Sequence, residues 1–338
     1  MSDGGIRRRI YLGFKPYQIL NLAYRSYGRN NHYMERPAFI FPGQGSQIVG
    51  MGKDLFESYP MAREMYTEAD KILGIEISRI SFEGPEETLK QTQYTQPALY
   101  VHSMIVSALI QERGLRGAAT AGHSLGEFSA LAFAGVYDFE TGLKLVQKRA
   151  QLMKDANKNN SGMMAALIGL DSDTVIRVCE RAKSSGMVQP ANFNSPGQIV
   201  ISGLRAGVEK AMELAKAEGA KRVLELPVTG AFHSPLMKET ADLFSQELDA
   251  LTFKKPSVPV YSNVTAEKIT SSQSVSDLLY RQLTHSVRWI ETIQNMVKDG
   301  ISEFIEIGAG RVLAGLVKRI DNSVEILSLG TREAIQSL

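Results

Sequence analysis

The chain has one cysteine, one tryptophan and five histidines in 338 residues, and it lacks any apolar run of the roughly 18 to 20 residues that crossing a bilayer requires. Each shortage excludes something. A lone Cys179 can neither close an internal disulfide nor build a cysteine-based metal cluster; within DTVIRVCERA it shares a helical face with Val175, Ile176 and Ala182 and reads as buried filler. The longest apolar stretches, Ala98 to Ile110 and Met163 to Leu170, are broken by polar residues or end early, so no membrane span is expected. Net charge is only +2, and the positive balance sits in the first 33 residues, where Arg7, Arg8, Arg9, Lys15, Arg25 and Arg29 face Asp3 alone. The mildly acidic remainder gives no compositional case for nucleic-acid binding. Residues 1–33 read as an N-terminal extension produced by an upstream start codon, with a targeting segment or a functional arm as alternatives, because Met34 stands just before the strand-like PAFIF. The expected location is the cytoplasm, or an organelle matrix if that extension is a transit peptide.

What is present is enough apolar material, 43% of residues, for a large domain carrying a smaller one. PAFIF (37–41) predicts a buried strand, followed by the turn PGQGSQ and a helix from about Asp54. That turn is no nucleotide loop. A dinucleotide fingerprint needs glycine where Ile48 stands, and a phosphate-binding GK[ST] needs serine or threonine where Asp54 stands. TQPALYVHSMIVSALIQERG (95–114) predicts a buried helix with Pro97 in its first turn, GAATAG (117–122) a short strand, and EFSALAFAG (127–135) a helix. From 163 the elements run β-α-β-β-α-β, a ferredoxin-like split βαβ pattern inserted in a larger α/β unit. The predicted division is a large subdomain of 34–156 and 230–338 and a small one of 157–229. Past it, VPVYSNV (258–264) and EFIEIGAG (303–310) read as strands of the large unit.

GHSLG (122–126) puts Ser124 at a strand-to-helix corner in the G-x-S-x-G pattern, which leaves a serine hydroxyl exposed at a helix N-terminus. A serine that merely caps a helix fits the same letters. A nucleophile needs a base, and the histidines narrow the choice. His32 lies in the extension, His102 inside the buried helix, and His123 adjoins the serine with its ring directed away; His233 and His285 remain. His233, in TGAFHSPLMKE, precedes a Ser-Pro helix start, whose positive end favours neutral imidazole. Arg149 has Leu145, Val146, Leu152 and Met153 as helical neighbours, so a guanidinium projects inward while Lys148 faces water. It demands an anion, either a structural carboxylate or an acidic group of a substrate.

These residues resemble the malonyl-CoA:acyl carrier protein transacylases of type II fatty acid synthesis, from Met34 to about Leu329. The resemblance is carried by FPGQGSQ (41–47), TQPAL (95–99), GHSLGEFSAL (122–131), QKRAQLM (147–153), NSPGQIVISG (194–203), GAFHSPLM (230–237), RQLTHSVRW (281–289) and EIGAGRVLAGL (306–316). It implies Ser124 as acyl-accepting nucleophile, His233 as general base, and backbone amides of Gln44 and Leu125 as oxyanion donors. It further implies Arg149 as the ligand of the malonyl carboxylate, Gln96 as its holder, and a main-chain carbonyl at Gln282 as the group orienting the histidine. The fold implied is an α/β-hydrolase-like large subdomain with a ferredoxin-like insert. The partners implied are malonyl-CoA and acyl carrier protein, with no metal or other cofactor, no nucleic acid and no membrane; a monomer is expected. Phe232 resembles members that select malonyl over methylmalonyl. The chain departs from the family at Phe128, where tyrosine is frequent, at His285-Ser286, where Asn-Pro is frequent, and at Ala309, where proline is frequent. Rival readings are an esterase or thioesterase that passes the acyl group to water, and a non-catalytic docking module.

Overall fold

A computed structural model describes residues 37–156, 162–228 and 230–338. The extension 1–33, Met34, His32 and the expected subdomain boundaries at 157 and 229 lie outside the described residues. The strands in chain order are β1 (Ala38–Phe41), β2 (Ala119–Gly122), β3 (Gly162–Ile168), β4 (Val188–Ser195), β5 (Gln198–Leu204), β6 (Arg222–Glu225), β7 (Val260–Tyr261), β8 (Lys268–Ile269), β9 (Glu303–Ile307) and β10 (Glu325–Leu329). They form a mixed α/β fold with two sheets. The larger has the order β10-β9-β1-β2-β7-β8 and is parallel except for the edge pair β7 and β8. The smaller has the order β4-β5-β3-β6 and is antiparallel throughout.

The AFIF sequence of β1 is apolar without interruption because both faces of a parallel strand are covered. Phe39 and Phe41 enter one core with the long helix Thr92–Glu112, while Ala38 and Ile40 enter another with Trp289 and Phe304. β2 is built of small residues for a different reason. Its Gly122 and the helical Gly126 touch: a Cβ on Gly122 would sit 1.9 Å from the Gly126 carbonyl carbon, and one on Gly126 would sit 2.0 Å from the Phe41 oxygen. The helix Leu125–Phe133 is therefore pressed against the carboxyl ends of β1 and β2, the side of an open parallel sheet where ligands bind. The small sheet alternates likewise. Met163, Ala165 and Leu167 pack with Val175 and Cys179 in a core of their own, whereas Met164 and Ala166 turn to the main core.

Several sequence expectations need correction. The buried helix starts at Thr92, so Pro97 lies inside it and not in the first turn. The VPVYSNV segment pairs only over Val260–Tyr261, since the chain turns immediately after to make Asn263 available elsewhere. Cys179 is buried as expected, but Ile176 is 40% exposed and off that face. Among the described residues no helix is long and apolar enough to cross a membrane.

The glycine contact yields a direct test. Gly126→Ala forces backbone apart at the corner and is expected to cost about 3 kcal/mol or more. A denaturation midpoint equal to that of the parent protein would contradict the packing described.

Candidate active site

Ser124 occupies the corner between β2 and the Leu125–Phe133 helix with φ 50° and ψ −106°, a positive-φ conformation that a non-glycine residue adopts at a cost of roughly 1 to 3 kcal/mol. Its N–H is held by Asn263 Oδ1 at 2.7 Å, and Asn263 Nδ2 donates to the Gly122 carbonyl at 2.6 Å, so one side chain clamps both sides of the turn. Ser124 makes no side-chain cap bond. The hydroxyl is thus not spent on the helix, which removes the capping reading of the motif.

Ser124 Oγ lies 2.8 Å from His233 Nε2, and His233 Nδ1 lies 2.7 Å from the Gln282 carbonyl oxygen. A carbonyl only accepts, so Nδ1 carries the proton and Nε2 is left to accept one from the serine. His233 has φ 56°, its own carbonyl accepts from Gln189 Nε2 at 2.9 Å, and Ser234 Oγ closes the turn on the Ala231 carbonyl at 2.6 Å. Burial, reinforced by the positive charge of Arg149, pushes the imidazole down to about 3. This corrects the reason given from sequence. The element after His233 opens as a three-residue 3₁₀ turn, Pro235–Met237, and desolvation keeps the ring neutral. His285, the other candidate base, bonds instead to the Arg281 carbonyl at 2.9 Å on the outside of its helix end.

Arg149 is 1% exposed and reaches the same point. Nη1 donates to Gln96 Oε1 at 2.6 Å, and Nη2 donates to Gln282 Oε1 at 3.0 Å and to Ser124 Oγ at 3.1 Å. The Phe128 ring lies beneath the guanidinium, 5.3 Å from Cζ, which gives the phenylalanine at that position a role its missing hydroxyl does not affect. Its hydrogen bonds go to neutral groups, so a structural carboxylate bound directly to Arg149 is not what the site contains. Burial lowers the guanidinium to about 10 and leaves it charged near neutral pH.

Two further residues border the corner. Leu125 opens the helix, so its N–H has no partner within it. The loop bearing Gln44 approaches the corner so closely that a Cβ on the preceding Gly43 would sit 2.4 Å from the His123 oxygen. Gln96, Ser124, Leu125, Arg149, His233 and Gln282, predicted from five separate stretches, are brought to the mouth of β1 and β2 with Gln44 in the adjoining loop. His123 is turned away, bonded to Asn194 Oδ1 at 2.7 Å. After Gln282 the His285-Ser286 departure is accommodated, with Ser286 Oγ donating to the Pro190 carbonyl at 2.6 Å.

Sequence reasoning missed Asn263 and Glu127. Glu127 is fully buried, and its Oε2 accepts from Gln282 Nε2 at 2.5 Å while that same amide donates to the Ser124 carbonyl at 3.0 Å. A glutamate three residues after a serine was a visible signal, since it is the spacing of a capping box. Nothing local marked Asn263. Among the described residues no three His, Cys, Asp or Glu side chains converge to hold a metal ion.

A neutral imidazole beside a strained serine, with unspent amides and a buried guanidinium, is equipped to form an ester on Ser124 from an acyl donor that carries an anionic group. Comparison with known proteins agrees. The family described as acyl transferase domain matches residues 38–328, and the chain belongs to that family. It is 44% identical over 304 residues to the malonyl CoA-acyl carrier protein transacylase of Bacillus subtilis, covering 90% of this chain and 96% of that protein. Its fold matches an acyl carrier protein S-malonyltransferase from Vibrio cholerae with a TM-score of 0.87 at 42% identity, over 89% of this chain and 99% of the other. It also matches, with a TM-score of 0.87 at 40% identity over 89% of this chain and 98% of the other, a malonyl-transacylase solved in complex with its type II PKS acyl-carrier protein.

The state of His233 can be read directly. Because its folded value lies far below the ordinary 6.5, only the unfolded chain binds this proton between those limits, and stability falls as pH drops through that window. The ring resonances in NMR should report neutral imidazole down to about pH 4. A titration midpoint near 6.5 would contradict the buried, carbonyl-held geometry.

Proposed function

We propose that the chain is a malonyl-CoA:acyl carrier protein S-malonyltransferase. Ser124, relieved of its proton by His233, attacks the thioester carbonyl of malonyl-CoA. The oxyanion is received by the amides of Gln44 and Leu125, and CoA leaves with the proton from His233. The phosphopantetheine thiol of acyl carrier protein then takes the malonyl group in the reverse sequence of proton transfers. Each preplaced amide contributes on the order of 3 kcal/mol to the transition state. Arg149, held by Gln96, pairs with the malonyl carboxylate, and Gln282 orients His233 through its carbonyl. Exchange of a thioester for an ester and back needs no electron transfer, so no metal or redox cofactor is invoked.

The observation that carries this reading is that Arg149 donates to the very hydroxyl that faces His233. A guanidinium placed there meets the far end of a short acyl chain bearing a carboxylate. The names of the relatives support the same donor and acceptor. We also read the parallel sheet, with residues 34–156 and 230–338, as an α/β-hydrolase-like subdomain and residues 157–229 as a ferredoxin-like insert. The strand order β4-β5-β3-β6 supports that description, since the first and third strands of the unit lie at its centre.

Intact-mass measurement after mixing with malonyl-CoA tests the function. A malonyl adduct that persists in buffer and is discharged by acyl carrier protein is expected, and Ser124→Ala should abolish it. Rapid release of free malonate would make the protein a hydrolase, and absence of any adduct would make it a binding module.

A further inference from the structure

The first turn of the Leu125–Phe133 helix carries a capping-box sequence, Ser124 and Glu127, whose two side chains ordinarily bond each other's backbone N–H. Here neither does. Asn263 has taken over the Ser124 N–H, and Glu127 is redirected inward to the Gln282 amide and, at 3.3 Å, to the Asn263 N–H. Both acceptors of Gln282 Nε2, the Glu127 carboxylate and the Ser124 carbonyl, fix the amide with its oxygen toward Arg149. One planar amide therefore separates the buried carboxylate from the buried guanidinium.

We propose that Glu127 is a positioning residue for the acidic end of the substrate: as an anion it holds Gln282 and balances Arg149 in the empty site, and it takes up one proton from solvent when a substrate carboxylate pairs with Arg149. This inference rests on the malonyl-transfer reading. Two carboxylates sharing one guanidinium in a dry pocket repel each other, and the cheaper arrangement is to neutralise the one that contributes no direct ion pair. Neutral Glu127 still accepts from Gln282 through its carbonyl oxygen, so the amide keeps its orientation. The other groups acting on Glu127 do not take the proton. Tyr137 is held well above its ordinary range by burial, His233 stays neutral, and Asn263, Ser262 and Gln282 do not titrate near neutral pH. Burial has already pushed Glu127 up to about 7, against the opposing effects of Gln282, Asn263, Ser262 and Arg149. A second negative charge moves it further in the same direction. Affinity for the malonyl end should consequently fall by about tenfold per pH unit above 7 until the bound-state value is reached.

The test uses the full chain as Ser124→Ala, so that binding is measured without chemistry. Titration calorimetry at pH 8 in buffers of different ionisation enthalpy counts protons taken up per ligand bound. Malonyl-CoA should bring in about 0.5 to 1 proton and acetyl-CoA about none, the CoA phosphates being common to both. Adding Glu127→Gln, which retains an accepting oxygen but cannot titrate, should remove the uptake for malonyl-CoA. Equal uptake for the two acyl-CoAs, or uptake unchanged by Glu127→Gln, would overturn the proposal. The comparison of the two ligands decides the matter even if the double variant does not fold. Failure of malonyl-CoA to bind at all would instead count against the malonyl-transfer reading, and binding without proton uptake against the role given to Glu127.

Discussion

A guanidinium that is 1% exposed and bonded to two glutamine oxygens and a serine hydroxyl governs the arrangement around it. Taking such a cation out of water costs several kcal/mol, and charge-assisted bonds to neutral groups contribute roughly 1.5 to 3 kcal/mol each. Arg149 is therefore tolerated, yet its Nε has no hydrogen-bond partner among the described residues. A substrate carboxylate is the group that would convert this tolerated charge into a strongly paired one. The same positive charge helps to keep His233 neutral, so the two roles proposed for Arg149 and His233 would have one source.

Gln282 joins these functions within a single residue. Its backbone oxygen holds the His233 tautomer, its side-chain oxygen holds Arg149, and its side-chain nitrogen links the Ser124 carbonyl to Glu127. Ser124 and His233, both with positive φ, are each clamped by another part of the chain, Asn263 for one and Gln189 for the other. Strain at the corner is sustained by contacts from distant segments, in keeping with a site that is ordered before substrate arrives.

Much of this was legible in the residues. The G-x-S-x-G spacing, the inward phase of Arg149 and the elimination of three histidines pick out side chains that the fold brings together, because each depends on local sequence context. The element order of the small sheet was legible for the same reason, its helices and strands having distinct periods. What escaped depended on distance in sequence. Asn263 reaches Ser124 across 139 positions, and no propensity encodes that meeting. Glu127 was visible but carried a local explanation, the capping box, that tertiary structure overrides. The neutrality of His233 was expected from a helix end and arises from burial, which a sequence does not display. Pro97 was placed in a first turn because the register of a uniformly apolar helix leaves its start undefined.

The claim on which the account turns is that Arg149 reads the acyl group and does not serve as scaffold. The direct measurement is kcat/KM for malonyl-CoA and for acetyl-CoA in Arg149→Ala, taken beside its melting temperature. The account predicts a loss of about 100-fold or more with malonyl-CoA and little or no loss with acetyl-CoA, because only the former is left with an unpaired buried carboxylate. An unchanged ratio of the two, accompanied by a lower melting temperature, would contradict it.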